Sequence, residues 1–214
     1  MSSGKSYLDP YFAAVDAFGD DFATTLWKSR AGQAKRFDVL CAMLGPDLVT
    51  GSRLVDVGCG RGDFALWLRK AGVRPLHYEG VDAVEAMVDM AKPVLEDVGF
   101  PTGLSVFDPL ERPDRLRELK PDVIVASGTL NAMSEAVAQR FIEVLMEHAT
   151  TAIAFNFLSL RHRKTKSKPL GPSHRFDPLA MLDLVLKVTP NVQFRQDYLD
   201  GHDASIVAFL EPNA

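Results

Sequence analysis

The sequence predicts an α/β fold: a mostly parallel sheet with helices on both faces, ending in an antiparallel hairpin. Three observations carry this expectation. Short apolar runs alternate with amphipathic stretches between residues 53 and 157, a glycine-rich turn joins the first run to the first stretch, and two final runs flank Asp200-Gly201. Right-handed crossovers lay each helix back over the sheet, so regular alternation reads as parallel strands.

The elements follow in order. From 10 to 44 apolar residues recur at helical spacing, as in Phe37, Leu40, Cys41 and Leu44, until Gly45-Pro46 ends the pattern. Residues 53–57 read as a strand, and 63–70 as a helix closed by Gly72. The unit repeats as strand 76–81 with helix 83–98, then strand 103–107 with a short helix near 114–119. The run Asp122-Val-Ile-Val-Ala126 is continuously apolar, as expected of a strand buried on both faces, and helix 134–148 follows it. A fifth strand is placed at 152–157, and a polar loop at 159–173. A helix near 178–188 precedes the hairpin of 192–199 and 204–210, which brings the strands to seven.

Composition narrows the function. The chain has 214 residues, 47% of them hydrophobic and 24% charged, which suits one domain with an ample core. Its net charge of −4 gives no general attraction for nucleic acid or anionic lipid. The only cysteines are Cys41 and Cys59. They are too few for a disulfide framework or a cysteine-built zinc site, so two free thiols, no metal and a reducing, cytoplasmic setting are expected. No run nears the roughly 18 apolar residues of a membrane span, and the opening residues do not read as a signal peptide. The sequence leaves the oligomeric state open between monomer and homodimer.

The chemistry concentrates in Val55-Asp56-Val57-Gly58-Cys59-Gly60-Arg61-Gly62, where the first strand hands over to the first helix. Glycines there let the chain turn sharply and bring a ligand against the backbone. The spacing departs from the G-x-G-x-x-G of dinucleotide folds, which argues against a pyrophosphate cofactor and a nucleotide-linked oxidoreductase. Beyond Gly62, Asp82 closes the second strand, where a carboxylate can accept both hydroxyls of a ribose. Asp56 either orients the turn or touches the ligand.

Asp56-x-Gly58-x-Gly60-x-Gly62 with Asp82 resembles the class I S-adenosylmethionine-dependent methyltransferases. The resemblance runs from about Arg53 to the final hairpin. It implies a Rossmann-like core over 51–214, lidded by a helical segment over 1–50, and S-adenosylmethionine as cofactor with S-adenosylhomocysteine as product. It further implies a cofactor site of Asp56, Gly58, Cys59, Gly60, Gly62, Asp82 and Ala83. Phe107 and Asp108 fall at the adenine, and Ser127-Gly128 beside the reacting methyl. A sulfonium is positively charged, and Asp56, Asp82 and Asp108 supply the carboxylates that suit it. In the lid, Trp27 is expected either to close over the methyl or to be a core aromatic, and Arg36 either to pair with the cofactor's carboxylate, which a guanidinium matches bidentately, or to be a solvated helix residue. The segments 27–37, 154–159 and 196–198 also resemble a group of small bacterial methyltransferases.

A small-molecule acceptor is expected, oriented by Asn131 and Asn156 at the carboxyl ends of strands. His174 is a candidate base near neutral pH, or else a solvated loop residue. Residues 161–168 carry six basic side chains in eight positions. They form either a solvated loop or a lure for an anionic acceptor such as RNA. The Asn-Pro-Pro-aromatic pattern of enzymes methylating nucleobase amines is missing at 127–131. A cofactor-binding regulator without chemistry is the remaining alternative.

Overall fold

A computed structural model of the chain describes residues 7–162 and 173–211. Its sheet has seven strands in the order β3-β2-β1-β4-β5-β7-β6. They are β1 (Arg53–Val57), β2 (His77–Asp82), β3 (Thr102–Val106), β4 (Val123–Ala126), β5 (Ala152–Leu158), β6 (Val192–Arg195) and β7 (Asp203–Phe209). β1 to β5 are parallel, and β7 runs antiparallel to both β5 and β6. The helices are α1 (Asp9–Phe18), α2 (Arg30–Leu44), α3 (Pro46–Thr50), α4 (Asp63–Ala71), α5 (Glu85–Glu96), α6 (Pro113–Glu118), α7 (Glu135–His148) and α8 (Pro178–Leu186).

The central strands are apolar throughout because both of their faces are covered. Val55, Val57, Ile124, Ile153 and Phe155 pack with Phe141, Ile142 and Leu145 of α7 and Met181 of α8 on one face. Leu54, Val123, Val125 and Ala154 pack with Leu40 of α2, Phe64 and Leu68 of α4, and Leu95 of α5 on the other. Alternate residues of one strand thus serve two cores.

Two expectations need correction. The stretch 10–44 is not one helix: α1 stops at Gly19, whose φ of 54° no helix accommodates, and a short 3-10 helix (Phe22–Thr25) intervenes before Ser29 caps α2 through Gly32 N. The strand placed at 192–199 ends at Arg195. Beyond it Gln196 folds inward, its Nε2 donating to the carbonyls of Arg161 and Gly201. Of the basic stretch, residues 163–168 lie outside the described residues.

β1 and β4 are neighbours, but the chain leaves them toward opposite sides of the sheet, so a crevice opens at their carboxyl ends.

Candidate functional site

The glycine turn after β1 is built against β2. The amides of Gly58 and Cys59 both donate to Val81 O, at 2.7 and 3.0 Å. Gly60 N donates to Asp82 Oδ2 at 2.9 Å, and Val84 N to Asp82 Oδ1 at 2.9 Å. Asp82 thereby fixes the turn, and it lines the crevice. Burial pushes its carboxyl above the ordinary carboxylate range, and these amide contacts oppose that rise. Gly58 has a φ of 78°, and a Cβ on it would stand 2.4 Å from Thr129 Oγ1, so no larger residue fits.

The walls of the crevice bring together most of the residues the sequence singled out. Trp27, Asp56, Gly58, Cys59, Gly60, Asp82, Ala83, Phe107, Asp108, Ser127, Gly128 and Asn131 all line it. Asp56 is buried and accepts the Tyr78 hydroxyl at 2.6 Å. Burial is the main cause that lifts its pKa from 3.8 to about 7; the Tyr78 bond lowers it, and Asp82 and Asp63 raise it further. Neither turn amide bonds it, so its part in orienting the turn is indirect. Asp108 accepts from Leu110 N at 2.9 Å and from the Tyr7 hydroxyl.

Four predicted residues stand elsewhere. Gly62 packs against α5, where a Cβ would lie 2.6 Å from Leu95 Cδ1. Arg36 is buried behind Trp27, its guanidinium 4.5 Å from that ring and bonded at 2.6 Å to Asp203, so it is not free to meet a ligand carboxylate. Asn156 is buried within β5; its Oδ1 accepts from Gly128 N at 2.8 Å and its Nδ2 donates to Ser127 Oγ at 2.9 Å. His174 is exposed, and it is the neighbouring Ser173 that lines the crevice.

Sequence reasoning missed the N-terminal wall residues Tyr7, Leu8 and Tyr11, together with Gln33, Arg61, Asp63 and Thr129. Burial raises the Tyr11 phenol, and the Asp82 carboxylate adds to that rise. Gln33 Nε2 donates to Asp63 Oδ2 at 3.0 Å, and Arg61 reaches Asp20 at 2.6 Å. The signal available for Asp63 and Thr129 was their position, beside the glycines and within Ser127-Gly-Thr-Leu-Asn131. The tyrosines gave none.

The donor set fits a cation carrying hydroxyls and an amine. Four carboxylates, Asp56, Asp63, Asp82 and Asp108, line the crevice together with the single guanidinium of Arg61. Asn131 Oδ1 is buried without a partner among the described residues and needs a donor hydrogen.

A family model described as a methyltransferase domain matches residues 27–154. No curated protein matches the chain. Among solved structures it is similar to the magnesium protoporphyrin IX methyltransferase of Synechocystis PCC 6803 with bound S-adenosylhomocysteine. That likeness has 17% identity, spans 97% of this chain and 95% of that one, and reaches a TM-score of 0.68. A S-adenosylmethionine-dependent methyltransferase from Archaeoglobus fulgidus is 14% identical over 88% of this chain and 100% of that one, at a TM-score of 0.60. Phosphoethanolamine N-methyltransferase 1 of Haemonchus contortus is 13% identical over 97% of this chain and 50% of that one, at 0.65. At such identities the likeness to these structures is one of fold.

Proposed function

We infer, since this chain belongs to the class I S-adenosylmethionine-dependent methyltransferases, that it methylates a small-molecule acceptor held between the Ser127–Asn131 loop and the N-terminal helix. The observation that carries the reading is the Asp82 carboxylate, which lines the crevice while its two oxygens accept from Gly60 N and Val84 N.

In this reading Asp82 holds the ribose, the backbone at Gly58 to Gly60 admits close approach, and Phe107 with Asp108 receives the adenine. When bound, the cofactor supplies an electrophilic methyl on a positively charged sulfur. The protein's own part is to align an acceptor with that methyl and keep water away, which alone accounts for large accelerations in displacement reactions. Asn131 Oδ1 accepts a hydrogen from the acceptor and turns its nucleophilic atom inward. Leu8, Met133 and Phe141 supply the apolar wall. The acidic lining favours a neutral or cationic acceptor over an anionic one. The chain acts as one domain, with α1 and α2 forming its lid. The buried free thiols Cys41 and Cys59 agree with a reducing, cytoplasmic setting, and no described helix is long and apolar enough to cross a membrane.

Calorimetry with S-adenosylhomocysteine tests the reading. Wild-type protein is expected to bind, and Asp82→Ala to bind at least tenfold more weakly, a loss of about 1.4 kcal/mol or more. Wild-type protein that releases no heat and gains no thermal stability with either form of the cofactor would end it.

A further inference from the structure

Behind the crevice lies a carboxylate tied to both of its walls. Asp203 opens β7, is 1% exposed, and does not line the crevice itself. Its Oδ1 accepts from Arg36 Nε at 2.6 Å, and its Oδ2 lies 2.9 Å from His202 Nδ1.

The first tie leads to the lid. Arg36 also donates to Gly32 O at 2.8 Å, and its flat face lies over Trp27. The Trp27 ring in turn fills the place of a Gly128 side chain: a Cβ there would come within 2.3 Å of it. A guanidinium can present one edge to a carboxylate and a face to an indole at once, which the ammonium of a lysine cannot.

The second tie leads to the acceptor side. Arg175 Nη2 lies 2.8 Å from His202 Nε2, and Arg175 Nη1 donates to Ser159 O at 2.8 Å. Arginine has no acceptor to offer, so His202 Nε2 must accept and Nδ1 must carry the proton given to Asp203. Immediately before Arg175, Ser173 lines the crevice, and His174 N donates to Asn131 O at 2.6 Å.

We propose that Asp203 is a positioning residue of the methyl-transfer site, holding Trp27 against Gly128 through Arg36 and holding residues 173–175 against Asn131 through His202 and Arg175. The proposal rests on the reading of the crevice as the cofactor site. A buried ion pair contributes little net stability, since desolvation offsets much of its attraction. Its effect here is orientation: one carboxylate sets the two walls between which an acceptor must fit.

The test uses Asp203→Asn and Arg36→Lys in a Trp67→Phe background, where Trp27 is the only tryptophan left. Without any ligand, Trp27 emission is expected to move to longer wavelength and its quenching by acrylamide to increase in both variants. Calorimetry with S-adenosylhomocysteine is expected to show at least tenfold weaker binding. Adding Trp27→Leu to either variant is expected to weaken binding no further, because in both variants the Trp27 ring has already lost its support through Arg36. Unchanged emission and affinity in both variants, or losses that simply add to that of Trp27→Leu, would overturn the proposal. Should Asp203→Asn fail to fold, Arg36→Lys keeps the charge pair, gives up the stacked face, and carries the same outcomes. Failure of wild-type protein to bind overturns the cofactor reading and this proposal with it, whereas wild-type binding that persists in both variants overturns this proposal alone.

Discussion

Asn131 and Asn156 were paired in the sequence as acceptor-facing amides, yet the structure gives them opposite surroundings. Asn156 has both ends of its amide engaged, by Gly128 N and Ser127 Oγ, so Asn156→Ala takes the partner from a half-buried N–H and a half-buried hydroxyl and leaves a gap at a buried position. That is expected to cost about 2 to 4 kcal/mol of stability, as read by urea denaturation. Asn131 Oδ1 has no partner to lose among the described residues. Asn131→Ala is expected to leave stability within about 1 kcal/mol of wild type while cutting turnover of any accepted substrate at least tenfold. Equal stability losses in the two variants would show that Asn131 is structural as well. The difference was illegible in the sequence, because whether an amide meets a loop or a cavity depends on chain brought in from residues 127–128. Asp82 and the glycine turn were legible for the converse reason: their partners lie within a few residues of the turn or on the strand beside it.

Among the elements, α1 is held locally. It has no side-chain cap, leaves Phe12 and Phe18 exposed, and packs chiefly on the short helix that follows it. Just before its start, the Tyr7 hydroxyl donates to Asp108 of the crevice wall. Tyr7→Phe is therefore expected to speed amide hydrogen exchange over residues 9–18 by tenfold or more, while global stability changes by less than about 1.5 kcal/mol. Unchanged exchange there would mean that some other contact holds the lid. Helical periodicity marked this segment without revealing its break at Gly19, since apolar spacing alone does not distinguish a buried stripe from an exposed one. The central strands were plain because burial on both faces leaves an uninterrupted apolar run. The edge strand β6 was overextended because Gln196, Asp197 and Tyr198 continue an alternating pattern where the backbone already turns.

On the scale of the whole molecule, the crevice places carboxylates where folding must desolvate them, and this fixes the sign of the pH dependence. Asp56 titrates near 3.8 when unfolded and at about 7 when folded. Between those values the native chain holds a proton that the unfolded chain has released, so stability falls as pH rises through the window and is lowest above it. Asp82 is shifted in the same direction. Asp177 and Asp197, lowered by Arg161 and Arg195, act with the opposite sign but below the ordinary carboxylate value, outside the window. Wild-type protein is thus expected to be about 2 kcal/mol more stable near pH 5.5 than near pH 8 in urea denaturation. Asp56→Asn keeps an oxygen for the Tyr78 hydroxyl and removes the titration. It should erase most of that difference by raising stability at the alkaline end. Parallel profiles for the two proteins would place the acid-favoured term elsewhere. A bound cation would stabilise the ionised Asp56, so protection by S-adenosylmethionine should be greatest above neutrality, where the empty crevice is least stable.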